Sequence, residues 1–203
     1  MSSLRIVLIF CVAVISLSSC SVSKTYPKEY YAQHKTTMEE MESLYDNITR
    51  EKLIAIAFYD LEFNDISLEF KTDTVRYIYD FYYGEKRMND SLFKFGYDTT
   101  LVQQLIKDMR TIECSWINTL DYYVDGKKRL LLFMSVPVKQ FSLVPLLRKR
   151  KYYLFNFYTQ PQYYDEQGRL LDKRTVRRIR KVSGESFWRI TDKVCYTVSG
   201  KFR

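Results

Sequence analysis

The stretch "YDLEFND", Tyr59 to Asp65, sets three carboxylates, Asp60, Glu62 and Asp65, among aromatic and aliphatic neighbours. On a strand, alternate residues share a face, so Asp60 and Glu62 would point the same way. Two carboxylates held about 5–9.5 Å apart are the equipment of glycoside hydrolysis, one as acid, the other as nucleophile or base. The competing reading makes them solvent-facing positions alternating with core Phe58, Leu61 and Phe63. Trp116 and Trp188 divide in the same way: each could stack on a sugar ring, and each could anchor a core.

Other catalytic constellations are missing. The chain holds no GxSxG, HExxH or GxGxxG, and no phosphate-binding loop ending in Gly-Lys-Ser or Gly-Lys-Thr. "SVSK", Ser21–Lys24, matches the SxxK nucleophile pattern of penicillin-binding proteins, but it sits in a polar leader outside any folded element. His34, the single histidine, lies in the same leader, which excludes a histidine-dependent triad. One histidine and the two cysteines of the domain do not make a four-ligand zinc site, and no cofactor is expected.

Strands and helices must position whatever chemistry exists. Thirteen Phe and 18 Tyr with only 6 Gly and 4 Pro favour a packed, strand-rich core over disorder. Residues 21–36 are polar and aperiodic. A helix is expected from about Thr37, where Met38, Met41, Leu44, Tyr45 and Ile48 recur at helical spacing and Thr37 with Glu40 fits a capping box. Strand-like runs follow at Leu53–Phe63, Ile66–Lys71 and Val75–Tyr83. The spacing of Leu101, Leu105, Met109 and Ile112 predicts a second helix over Thr100–Ile112, capped by Asp98 or Thr99. "LDYYVDGKKRLLLFMSV" reads as a hairpin turning at Asp125-Gly126. "YLFNFYTQPQYYDEQGRLLD" reads as another, with Pro161 at a bulge or edge. Phe187–Ile190 and Val194–Val198 make a last strand pair. The sum is an α+β fold, an antiparallel sheet built from hairpins with two principal helices.

Two tyrosines precede a glycine turn and basic residues in "YYGEKR" (Tyr82–Arg87), "YYVDGKKRLL" (Tyr122–Leu131) and "YYDEQGRLL" (Tyr163–Leu171). The third resembles a single unit of the YD-type or MORN-like hairpin repeats. The copies differ in turn length and lack a fixed period, so they read as three hairpins obeying one turn chemistry.

The first twenty residues carry the most specific signal. Arg5 precedes an apolar run from Ile6 to Leu17 broken only by Ser16. That run falls short of the roughly 20 residues a membrane-spanning helix needs and suits a secretory signal. It closes on Leu17-Ser18-Ser19-Cys20, which resembles the lipobox of bacterial lipoproteins. The resemblance implies that residues 1–19 are a cleaved signal peptide. It also implies that acylated Cys20 begins the mature chain and holds it to the lipid bilayer, with residues 20–36 as a polar tether and 37–203 as a single domain. In lipoproteins of Gram-negative cells Asp at the position after the cysteine favours the inner membrane. Ser21 stands there, so the resemblance implies an outer-membrane location in the cell envelope. Asp73-Thr74-Val75, Asp90-Ser91-Leu92 and Asp98-Thr99-Thr100 resemble an O-glycosylation acceptor pattern of exported proteins in some anaerobic Gram-negative bacteria.

Cys114 and Cys195 would then meet an oxidising compartment. A bridge between them would close a loop of about 80 residues, worth about 4–5 kcal/mol in the chain-entropy model. Two separate buried thiols are the equal alternative.

Charge is segregated along the chain. Residues 20–126 hold 12 Lys/Arg against 19 Asp/Glu, whereas residues 127–203 hold 19 against 5. The basic excess concentrates at Arg148, Lys149, Arg150 and Lys151, and again in "KRTVRRIRK" with Arg174, Arg177, Arg178, Arg180 and Lys181. Such segments suit an anionic envelope polymer, lipid headgroups or an acidic protein. The alternative is that the acidic and basic halves neutralise each other within the fold. Arginines beside tyrosines also suit nucleic acid, which an envelope location sets aside. The expectation is a lipid-anchored, non-enzymatic binding or structural module with a basic C-terminal surface. The alternative is an envelope enzyme acting on glycan through Asp60 and Glu62.

Overall fold

In the aromatic and β-branched runs, side chains alternate between two faces, and ten strands form from them among the described residues. They are β1 (Leu53–Phe58), β2 (Asp65–Lys71), β3 (Arg76–Tyr82), β4 (Trp116–Val124), β5 (Lys127–Pro137), β6 (Tyr152–Tyr158), β7 (Lys181–Val182), β8 (Glu185–Ser186), β9 (Trp188–Arg189) and β10 (Val194–Ser199). The helices are α1 (Tyr26–Ile48), α2 (Lys86–Lys94) and α3 (Thr99–Thr111). This computed structural model describes residues 25–72, 74–124, 127–138, 150–172, 178–182 and 184–200. The chain divides after Gln33 into two units, and the second, from His34 onward, holds every strand, α2, α3 and the greater part of α1.

Eight strands join in one antiparallel sheet in the order β3-β2-β1-β4-β5-β6-β10-β9, and β7 and β8 form a separate ribbon. With the helices, this is an α+β fold. The expected hairpin of β4 and β5 is present, pairing from Trp116↔Ser135 to Val124↔Lys127. The second is not the long hairpin expected: β6 pairs with β5 and β10, and Tyr164↔Leu170 is a single bridge beyond it.

The register divides the sheet residues between two faces. One face carries Ile54, Ile56, Leu68, Phe70, Phe155 and Phe157, all at most 2 % exposed. The α2–α3 connection packs there, with Phe95 stacked on Phe70 at 4.2 Å between ring centres and Tyr97 beside it. From α1, Met38, Met41 and Tyr45 are wholly buried, and the Tyr45 hydroxyl bonds to Ile54. The opposite face carries Ala57, Trp116, Tyr122, Leu131, Phe133, Tyr158 and Cys195, covered by Leu170 and Phe187 from the segment between β6 and β10.

Three local differences from the sequence reading have physical causes. The helix expected at Thr37 begins at Tyr26, inside the expected tether, because Pro27 falls in its first turn, where a missing N–H costs nothing. Thr37 is therefore a helix-interior residue and not a cap. The nine-residue α2 gives no sequence signal because only Met88 and Leu92 are buried, too few to show a period. The first strand stops at Phe58 and not Phe63, because Asp60 accepts the backbone N–H groups of Asn64 and Asp65, each at 2.9 Å, and Phe63 turns the chain at φ 57°. In α3 the expected cap is realised: the Asp98 carboxylate accepts from Thr100 N and Leu101 N at 2.9 and 3.1 Å.

Cys114 and Cys195 are both free, buried thiols. Cys195 aligns with Asn156, Asn156 with Phe133, and Phe133 with Asn118, four residues along the chain from Cys114. Three strand spacings of about 4.8 Å and an offset of about 13 Å along the strand separate them. A disulfide needs Cα atoms within about 7 Å.

Candidate anion-binding end of the sheet

Tyr122 near the end of β4 stands directly across from Arg129 on β5, and Leu131 stands across from Tyr158 on β6. These four side chains share the face covered by the β6–β10 segment. Arg180 reaches them from that segment, its guanidinium carbon 5.7 Å from the Tyr158 ring centre and 5.9 Å from that of Tyr122. Its backbone N–H donates to Leu170 O at 2.8 Å, and Leu170 N donates to Phe187 O at 2.8 Å, which fixes its place over the sheet. The Tyr122 hydroxyl is held by Thr159 at 2.9 Å. Arg180 therefore faces two tyrosine rings, and Arg129 stands across the strand pair from one of them. Aromatic faces orient such cations, and guanidinium forks are matched to carboxylate and phosphate oxygens.

Around this pair the surface stays cationic. Lys127, Lys128 and Arg129 open β5, and Arg178 and Lys181 flank Arg180, all five exposed. Asp121 lies among them and binds Lys128 at 3.0 Å, and Asp172 adjoins Arg178 through a backbone hydrogen bond of 2.8 Å. The Asp121–Lys128 ion pair joins the acidic part of the chain to the basic part. Lys35–Glu39, Lys71–Glu69, Arg76–Glu69 and Arg87–Glu85 are internal to the first part, and Arg169–Asp165 and Arg189–Asp192 to the second. At longer range, Lys193 acts on Glu42 of α1.

The described residues of the two basic concentrations are not neighbours. Arg150 and Lys151, both exposed, lie just before β6, whereas Arg180 meets the last residue of that strand. A seven-residue strand holds them about 20 Å apart. Arg148, Lys149, Arg174 and Arg177 lie outside the described residues, as do Cys20, the Ser21–Lys24 stretch and Asp73. Sequence reasoning passes over Tyr122, Tyr158 and Arg129. The cue is present, since "YYVDGKKR" puts tyrosines and cations at facing positions of a two-residue hairpin.

The other sequence candidates resolve differently. Asp60 and Glu62 are not on a strand; they lie in the β1–β2 connection, and the Asp60 carboxylate is occupied by the turn N–H groups. Trp116 is buried in the core, and Trp188 is half-buried in β9. The Cys195 thiol sits between the Tyr158 and Tyr164 hydroxyls, where burial pushes its pKa far up. Burial likewise pushes Cys114 up to about 12, and its thiol donates to Trp116 O. Neither is a nucleophile at neutral pH. Ser91 lies within α2 and Thr99 opens α3, so two of the three acceptor-like triplets fall on helices. Among the described residues no cluster of metal-ligating side chains occurs, and no helix is long and apolar enough to cross a membrane.

A recess of about 400 Å³ lies between Tyr83, Gly84 and Met88 on one side and Thr100, Gln103 and Lys107 of α3 on the other. Its amides are engaged already, Gln103 with Asn89 at 2.7 Å and Gln104 with Asp108 at 2.8 Å. No family model, curated protein or solved structure matches this chain.

Proposed function

We propose that this chain is a lipid-anchored, non-enzymatic binding module of the bacterial cell envelope. In this reading Cys20 is acylated, and the basic end of the sheet binds an anionic envelope polymer. The observation that carries the binding role is the set of exposed cations, Lys127, Lys128, Arg129, Arg178 and Lys181, gathered about Arg180 and Tyr122 at one end of the sheet. A cationic surface left open to water attracts polyanions, and each Lys or Arg near a charged surface adds about 1 kcal/mol. The anchor rests on Leu17-Ser18-Ser19-Cys20 behind an apolar run too short to span a bilayer.

The test is binding of the full chain in detergent to purified acidic polysaccharide across a salt series. Affinity falls steeply with salt in this reading, since surface ionic contacts are screened within about a Debye length, about 8 Å at physiological ionic strength. Arg129→Glu and Arg178→Glu weaken it at low salt, whereas Asp60→Asn leaves it unchanged. Binding that ignores salt and both reversals refutes the role. Incorporation of labelled fatty acid that is lost in Cys20→Ser checks the anchor separately.

A further inference from the structure

The two outer strands of the sheet differ in kind. At one edge, β9 is two residues long; at the other, β3 is seven, with Arg76, Tyr77, Ile78 and Asp80 exposed. A long, open edge is a template for another strand unless something blocks it.

Hydrogen bonding shows which groups are open. Thr72 N donates to Val75 O at 3.0 Å, and Tyr83 N donates to Asn64 O at 2.7 Å, so the odd-numbered residues of β3 face β2. The N–H and C=O groups of Arg76, Ile78, Asp80 and Tyr82 therefore face outward. Those of Tyr82 are closed within the chain: its N–H donates to a Glu85 carboxylate oxygen at 3.1 Å and its carbonyl accepts the Glu85 N–H at 2.9 Å. At the other end the Thr72 hydroxyl closes the turn against Val75. Arg76, Ile78 and Asp80 remain.

These residues form a self-complementary text. In Arg76-Tyr77-Ile78-Tyr79-Asp80, opposite charges stand symmetrically about Ile78, with a tyrosine on either side. We propose that β3 is a self-pairing edge, joining two copies of the chain antiparallel about a two-fold axis at Ile78. In that register each Ile78 exchanges both backbone bonds with the other Ile78. Each Arg76 meets the other copy's Asp80 on the same face. Tyr77 meets Tyr79 on the opposite face, where Phe95 already lies 5.3 and 5.9 Å from their ring centres. Ile78, 57 % exposed in one copy, gains an apolar neighbour.

The adjacent registers are worse. An axis at Tyr79 sets Asp80 against Ile78 and Arg76 against the closed groups of Tyr82. An axis at Tyr77 sets Arg76 against Ile78. Arg76 also touches Glu69 at 3.4 Å; with 71 % of its side chain exposed, it has room to serve both carboxylates. Charge on the edge thus rejects other partners and accepts its own image.

The test is register-specific crosslinking of the full chain in detergent, with the wild type as background. An axis at Ile78 brings only that residue against itself, so oxidised Ile78→Cys forms a covalent dimer. Arg76→Cys and Asp80→Cys each stay monomeric alone and crosslink when mixed, since facing Cα atoms in such a pair lie about 5.5 Å apart. Asp80→Arg sets like charges across the axis and loses the dimer in sedimentation, with far-UV circular dichroism confirming that it stays folded. Self-crosslinking at Tyr79 or Tyr77 but not at Ile78 overturns the register. A folded chain that stays monomeric up to about 100 µM overturns the self-pairing itself. Pairing of Ile78→Cys with a different protein in place of its own copy overturns the choice of partner.

Discussion

Tyr45, wholly buried on α1, donates its hydroxyl to the backbone carbonyl of Ile54 in β1. A single side chain thus ties the helix to a central strand of the sheet. Tyr45→Phe keeps the ring and removes the donor. It is expected to cost about 1–3 kcal/mol, the range for leaving a buried acceptor without its partner. In urea the midpoint falls while the slope of the transition is unchanged, because the surface exposed on unfolding is the same. A midpoint equal to that of the wild type would mean that this tie does not hold the helix to the sheet.

The two domain thiols are separate and shielded. Burial favours the neutral thiol and raises both pKa values, Cys114 to about 12 and Cys195 further. Maleimide labelling followed by peptide mapping should leave Cys114 and Cys195 unmodified in the folded chain and modify both in denaturant. A reductant should leave the melting temperature unchanged. A melting temperature that drops on reduction would mean that a bridge exists after all.

Much of this fold is legible in the sequence because its signals are local. The pairing of β4 with β5, the cap at Asp98 and the alternating apolar runs each depend on residues within a few positions of one another. The features that sequence does not reveal depend on distant ones. Spacing alone puts Leu101 in the buried stripe of α3, yet the stripe is Val102, Leu105, Ile106 and Met109, a rotation that tertiary packing sets. The basic end of the sheet is half legible: Arg178, Arg180 and Lys181 stand out as a run. That Arg180 meets Tyr122, 58 positions earlier, and that Arg150 lies at the other end of β6, are consequences of strand order. Asp60 is easily misread because a turn-forming carboxylate and a strand-borne one look alike until the strand's end is known.

Glu42 on α1 supplies a pH handle. Its pKa is raised, chiefly by burial, further by Asp46, and Lys193 opposes the shift. A carboxyl whose folded pKa lies above its unfolded value, about 4.3, favours folding when protonated. That contribution is fully present below the unfolded pKa and is lost as pH rises through the folded one. Glu42→Gln mimics the protonated form. It should raise the melting temperature at pH 7, and the gain over the wild type should shrink towards zero near pH 4. A gain that is equal at both pH values would show that the charge is not its cause.

Asp60 discriminates the turn role from the glycan-enzyme alternative. Its carboxylate accepts Asn64 N through both oxygens and Asp65 N through one, each at 2.9 Å, closing the connection in which Phe63 adopts φ 57°. Asp60→Ala removes every acceptor and is expected to cost about 1 kcal/mol. That lies within the range for lost side-chain bonds to backbone N–H groups, and Asp60→Asn, which keeps one oxygen, costs less. Neither change touches Tyr122, Arg129 or Arg180, so polyanion binding should match the wild type in both. Equal losses of stability in the two variants would mean that the carboxylate geometry is irrelevant to the turn. Glycan cleavage by the wild type that disappears in Asp60→Asn, with stability unchanged, would reinstate the enzyme.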